Sequence, residues 1–282
     1  MRKQLCAALL FLALTLASCG TGRVAETGSP APEPSNAPTL SSSSAPDPTV
    51  TSESAPVYTP TPEPVQTPAS GQPNDAYFDN ALFIGDSIME GIRQYVAKNR
   101  SVEPTLGNAQ FLTDVAGVSI AGLAQTGMGY RYQGADQSLQ QILTQIRPAR
   151  IFLMLGLNDL AAADPDIGGI ISSYAQLISQ IRQAVPGVEV IVLTNPPKVA
   201  SLWLPDYTAN RNFSNALIAD FVEALIQMCG SQGIPYINTH QTLLDENGAL
   251  PDSYCRDGYV HLNDTGSKVV VDALYAFAGG RG

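Results

Sequence analysis

Five short apolar runs divide the chain from residue 81 onward, and helical patterns fall between them: ALFIG (81–85), FLTDVAGV (111–118), RIFLMLGL (150–157), VEVIVLTNPP (188–197) and IPYINTH (234–240). RIFLMLGL shows no polar alternation, as expected of a strand buried on both faces. VEVIVLTNPP stops at Pro196 and Pro197, which cannot extend a strand. Helices are predicted over about 87–98, 136–147, 168–184, 210–229 and 264–278. In the third, Ile170, Ile171, Tyr174, Leu177, Ile178 and Ile181 follow the 3.6-residue period; in the fourth, Phe213, Leu217, Phe221, Leu225 and Met228 do so. Strand and helix alternate without a repeat of fixed period. The expected fold is therefore α/β, a mostly parallel sheet covered by helices on both faces.

The N-terminal quarter has a different pattern. MRKQLCAALLFLALTLASCG opens with two cations, continues as an apolar run and ends in small residues before Cys19. The run is shorter than the roughly 20 residues a spanning helix needs and reads as a secretory signal. Leu16-Ala17-Ser18-Cys19 resembles a bacterial lipobox, which implies cleavage before Cys19 and lipidation of its thiol. Residues 20–75 are dominated by Pro, Ser, Thr and Ala, with few large apolar side chains to offset chain entropy. They are expected to form a disordered, proline-stiffened tether, on the order of 170 Å long if fully extended. The expected organisation is a lipoprotein signal at 1–19, a tether at 20–75 and one folded domain at 76–282. Lipid chains on Cys19 would then hold that domain at the outer face of a bacterial membrane.

Charge and cysteines narrow the function. The formal net charge is −10 and no basic run occurs, which argues against nucleic acid and against a polybasic membrane patch. The remaining cysteines of the folded part, Cys229 and Cys255, are either a disulfide or two buried thiols; spacing does not choose between them. With two histidines in the chain and no CxxC or HxxxH pairing, no zinc pattern is present, and no metal or cofactor is expected.

Ligands of parallel sheets sit beyond the carboxyl ends of the strands. Asp86-Ser87 follows ALFIG, Gly117 ends the second run, and Asn158-Asp159 follows RIFLMLGL. Each has an ordinary structural role available: Asp86 and Ser87 as helix caps, Gly117 as a tight turn, Asn158 and Asp159 as turn or cap residues. Together with Asp257-Gly258-Tyr259-Val260-His261 near the C-terminus, these four blocks resemble the SGNH hydrolases, the GDSL-type esterases and lipases. The likeness runs over residues 80–278. It departs from the family at Ile88, where GDSL has leucine, and in the gap of four between Asp257 and His261, where the family commonly has three.

The resemblance implies a flavodoxin-like three-layer α/β/α sandwich around a five-stranded sheet. It also implies roles: Ser87 as nucleophile, His261 as base, Asp257 as the acid that orients it, and an oxyanion hole from the N–H groups of Ser87 and Gly117 with the Asn158 amide. Serine needs a base, and histidine titrates in the right range for one. His240 also ends a predicted strand, but His261 is preferred because an acid precedes it closely and a helix start, Asn-Asp-Thr-Gly, follows. A second candidate nucleophile, Ser119, lies in Gly117-Val118-Ser119-Ile120-Ala121, close to the G-x-S-x-G elbow of α/β-hydrolases. That elbow would leave the other blocks unexplained.

The expected activity is ester hydrolysis, with O-acetyl groups on carbohydrate or cell-wall glycan favoured by the extracellular location. A lipase or lysophospholipase, an O-acyltransferase using the same residues, and a non-catalytic glycan-binding module are the alternatives. The segment Lys198–Tyr207, holding Trp203, is expected either to wall the substrate pocket or to pack as a loop on the core. The oligomeric state leaves no mark in the sequence.

Overall fold

The computed structural model describes residues 74–103, 105–113, 117–200 and 213–281. The expectations for Cys19, for segments 1–19 and 20–73, and for Trp203 lie outside the described residues. From Ala81 the elements run β1 (Ala81–Gly85), α1 (Ser87–Asn99), β2 (Gln110–Leu112), α2 (Ile120–Gln125), β3 (Gly129–Tyr132), β4 (Ala135–Ser138), α3 (Leu139–Ile146), β5 (Arg150–Met154) and α4 (Leu157–Leu160). Then follow α5 (Ile167–Ala184), β6 (Glu189–Leu193), α6 (Asn215–Ser231), β7 (Tyr236–Ile237), α7 (Thr239–Leu243) and α8 (Asp264–Gly279).

Among the described residues, five strands form one sheet in the order β2-β1-β5-β6-β7, every neighbour parallel. β1 is buried throughout, and β5 and β6 are buried at all but their first residues. That explains their unbroken apolar sequences. Helices α1, α7 and α8 pack together, and α2, α3, α5 and α6 form the other group. The architecture is the three-layer α/β/α sandwich that the alternation of runs predicts.

Parallel register stacks like on like. Phe83 of β1 is paired with Phe111 of β2 and Phe152 of β5, and its ring stacks on theirs at 4.8 Å and 4.5 Å. Phe78, from a 3-10 turn at Asp75–Phe78, closes on Phe152 at 5.6 Å. Stacked rings of this kind add to the burial they already provide.

The pattern and the structure part at several elements. FLTDVAGV and IPYINTH each yield only two strand residues, both at the sheet edges. The predicted helix at 136–147 begins at Leu139, because Ser138 and Gln141 form a capping box there. The residues before it belong to an antiparallel hairpin, β3–β4, whose two-residue turn, Gln133-Gly134, has positive φ at both positions. Helix α6 starts at Asn215, where the Ser214 side chain accepts from Leu217 N. Cys229 and Cys255 are separate buried thiols and not a disulfide.

Replacing Phe152 by alanine removes the ring in contact with both Phe83 and Phe78. The expected loss is about 3–5 kcal/mol of unfolding free energy, measured by chemical denaturation, with the sheet retained.

Candidate active site

The register of the central strands brings the site together. Gly85 is paired with Met154, so β1 and β5 end side by side and both chains leave the sheet at one edge. After β1, Asp86 takes an extended conformation and caps α1, its Oδ1 accepting from Ile88 N at 2.9 Å. Ser87 is the first residue of α1 and is exposed. The first N–H groups of a helix have no partner within it, so the Ser87 N–H has no acceptor inside α1. After β5, Gly156 has φ +128°, and a Cβ there would lie 2.6 Å from the Phe221 ring. Glycine alone permits this turn, which starts α4 and delivers Asn158 and Asp159.

Asn158 and Asp159 clamp the neighbouring segment. The Asn158 amide donates to the Val118 carbonyl at 2.8 Å and makes a long 3.4 Å contact to Asp86 Oδ2. The Asp159 carboxylate accepts from Ile120 N at 2.9 Å and Ala121 N at 3.3 Å, the first N–H groups of α2. Gly117, with φ +72°, lies at the start of this clamped segment. From the opposite side Glu90 accepts from Thr113 Oγ1 at 2.5 Å and from both Arg93 Nε and Nη2 at 2.7 Å. The Arg93 contact above all, with Thr113 and Gln94, outweighs burial and holds the Glu90 carboxyl at about 2.

The third arm comes from the C-terminal part of the chain. Cys255 and Leu262 form an antiparallel bridge, and Arg256 N donates to the His261 carbonyl at 2.8 Å. Residues 255–262 are thus a closed loop, with Gly258 at φ +70° in the turn. Asp257 enters the loop and His261 leaves it, facing each other. His261 Nδ1 is 2.5 Å from Asp257 Oδ2, and His261 Nε2 is 2.9 Å from Ser87 Oγ. With an ionised carboxylate as partner, Nδ1 carries the proton and Nε2 offers its lone pair to the Ser87 hydroxyl. Burial tends to raise the Asp257 carboxyl, but His261, Tyr259 N–H and the Cys255 thiol together bring it below the ordinary carboxylate value.

The other candidates are placed differently. Ser119 Oγ caps α2, accepting from Gly122 N at 3.0 Å. His240 is buried in α7 with Nδ1 2.9 Å from the Asn195 carbonyl, and burial lowers its pKa. Two supports carried no mark in the sequence. One is the Glu90–Thr113 bond. The other is Tyr130, whose hydroxyl donates to the Gly85 carbonyl at 3.2 Å from the β3–β4 hairpin.

A serine, an imidazole and a carboxylate in hydrogen-bonded series, at the carboxyl edge of a parallel sheet, are the equipment of an acyl-transfer site. The chain belongs to the GDSL-like lipase/acylhydrolase family, whose model matches residues 83–269. It is thus a member of an ester-hydrolysing family of SGNH type. The fold resembles that of a GDSL-like lipase from Bacteroides thetaiotaomicron VPI-5482, with a TM-score of 0.52, 17% identity, and 71% of this chain and 87% of that one covered. It also resembles the acetyl xylan esterase AlAXEase, with a TM-score of 0.51, 16% identity, and 70% and 98% covered. At these identities the likeness is one of fold. No curated protein matches the chain in sequence.

Asp86 is almost fully buried, and that burial pushes its carboxyl up from 3.8 to about 6 despite the Ile88 N–H and the nearby His261. A folded-state value above the unfolded one contributes stability below the unfolded pKa and loses it as pH rises through the folded pKa. The wild type should therefore lose stability between about pH 4 and pH 7, on the order of 2–3 kcal/mol for this group. Asp86→Asn, which retains a capping side chain, should lose much less, as measured by unfolding free energy against pH.

Proposed function

We propose that this protein is a serine esterase, exported and lipid-anchored, that removes O-acetyl groups from carbohydrate. The observation that carries the catalytic part is the continuous series Ser87 Oγ, His261 Nε2, His261 Nδ1 and Asp257 Oδ2. Ser87 Oγ attacks the ester carbonyl while His261 Nε2 takes its proton, and Asp257 supports the imidazolium that forms. The carbonyl oxygen becomes negative and is met by the N–H groups of Ser87 and Gly117 and by the Asn158 amide. The Asn158 amide is held by Val118 at 2.8 Å and more weakly by Asp86 Oδ2 at 3.4 Å, and the weaker contact is the one the substrate oxygen would displace. Collapse of the intermediate breaks the ester C–O bond, and His261 returns its proton to the leaving alcohol. Water, deprotonated by His261, then releases the acid from Ser87 by the same route.

Carbohydrate as the alcohol is supported by two features. A cleft of about 450 Å³ opens beside Asn158; its lining is largely apolar, with Gln125, Asp164 and Asp166 offering oxygens to sugar hydroxyls. The lipobox and tether of the sequence suit work on glycan outside the cell, and acetyl xylan is the substrate in the name of one protein of like fold.

Hydrolysis of p-nitrophenyl acetate by the full-length protein tests the chemistry. Ser87→Ala and His261→Ala should each lower kcat by at least about 10³-fold, and Asn158→Ala by about 10²–10³-fold, with folding intact. Ser119→Ala should remain active; the reverse pattern would move the nucleophile to α2. Acetate release from acetylated xylan oligosaccharides should exceed fatty-acid release from phospholipid, and a reversed preference would make the protein a lipase. Location is read separately: in an expressing bacterium, Cys19→Ala should move the protein out of the membrane fraction.

A further inference from the structure

The Asp257 carboxylate has two oxygens with different surroundings. Oδ2 faces His261 Nδ1 alone among its described hydrogen-bond partners, at 2.5 Å. Oδ1 accepts from Tyr259 N at 3.0 Å, from His261 N at 3.3 Å and from the Cys255 thiol at 3.4 Å, a normal reach for sulfur. The two backbone donors come from within the turn and move with it. The thiol comes from the first residue of the loop, across from its closing partner Leu262. Its position is fixed from outside: the Asn263 amide, at the start of α8, donates to the Cys255 carbonyl at 3.2 Å and to the Ser253 carbonyl at 2.8 Å. Asn263 Oδ1 at the same time caps α8 through Thr265 N and Gly266 N.

We infer that Cys255 is a positioning residue of the proposed esterase site: its thiol anchors Asp257 Oδ1 to the α8 end of the loop and so aims Oδ2 at His261. The inference rests on the triad reading above. Burial pushes the Cys255 thiol up, so it stays protonated and can donate at neutral pH. Asp257 precedes His261 by four positions where three are usual in the family, and the loop between them is correspondingly longer. A side-chain anchor on the carboxylate restores the orientation that the longer loop would otherwise leave to the turn alone. Without that anchor the carboxylate turns from His261 and supports the imidazolium less, which moves the acidic limb of the pH–rate profile downward.

The test compares wild type with Cys255→Ser, Cys255→Ala and Cys255→Val in the full-length protein, with Ser87→Ala alongside. Serine keeps a donor; alanine and valine remove it, and valine keeps the volume. On p-nitrophenyl acetate, Cys255→Ala and Cys255→Val should lose about 3–10-fold in kcat with KM unchanged and the acidic limb of kcat/KM lowered; Cys255→Ser should stay within about twofold of wild type. Wild-type kcat and limb in folded Cys255→Ala and Cys255→Val, with Ser87→Ala inactive, overturn this inference and leave the triad standing. Equal losses in all three Cys255 variants with no limb shift, or failure of both donorless variants to fold, make the thiol a packing residue and also overturn it. Full activity in Ser87→Ala overturns the triad reading and this inference with it.

Discussion

Parallel pairing between β1 and β5 is the constraint on which the site depends. Because Gly85 stands opposite Met154, the two strands finish at the same level. The residues that leave them, Asp86-Ser87 on one side and Gly156-Leu157-Asn158 on the other, must emerge next to each other. A shift of one residue would turn every side chain of a fully buried strand to the opposite face, and the Phe83–Phe152 stack opposes that shift. Core packing thus sets the distance between groups that are exposed at the sheet edge. The Tyr130 hydroxyl on the Gly85 carbonyl secures that edge from a hairpin outside the main sheet.

Each group that approaches the site is held by more than one element. Asn158 and Asp159, consecutive in sequence, grip the Val118 carbonyl and the first N–H groups of α2. Glu90, one turn after Ser87, grips Thr113. The segment bearing Gly117 is therefore tied to the ends of both β1 and β5. The residue types in these blocks do structural and chemical work at once: Asp86 caps a helix beside Ser87, and Asp159 caps another beside Asn158. This is why either role can be argued for them from sequence, and why the two roles do not compete.

Much of this was legible before any coordinates. Runs buried on both faces announce themselves by unbroken hydrophobicity, and ALFIG corresponds residue for residue to β1. The buried faces of α5 and α6 follow the spacing of Ile170, Tyr174 and Leu177 and of Phe221, Leu225 and Met228. The partners Ser87, Asp257 and His261 could be named because four blocks in order resemble those of the SGNH hydrolases, and because the chain has only two histidines. What stayed hidden has physical causes. Edge strands β2 and β7 are short, so their apolar runs overstate them. The β3–β4 hairpin turns on Gln-Gly, without the Asn or Asp that usually marks such a turn. The four-position spacing from Asp257 to His261 reads as a departure in one dimension. In three it is the inner part of a loop closed by Cys255 and Leu262, across which the two side chains meet.

The contact between Ser87 and His261 joins residues 174 positions apart. Ser87 leaves the ribosome early, on the first strand of the sheet, whereas His261 follows the last strand and precedes the final helix. A nascent chain can therefore expose the serine long before it possesses a base. Under the proposed mechanism the unfinished chain is inert toward esters, and the hydroxyl becomes nucleophilic only when the C-terminal loop docks on the sheet edge. Turnover would then report that the two ends of the domain have met, so a single catalytic readout measures completion of the fold as well as chemistry.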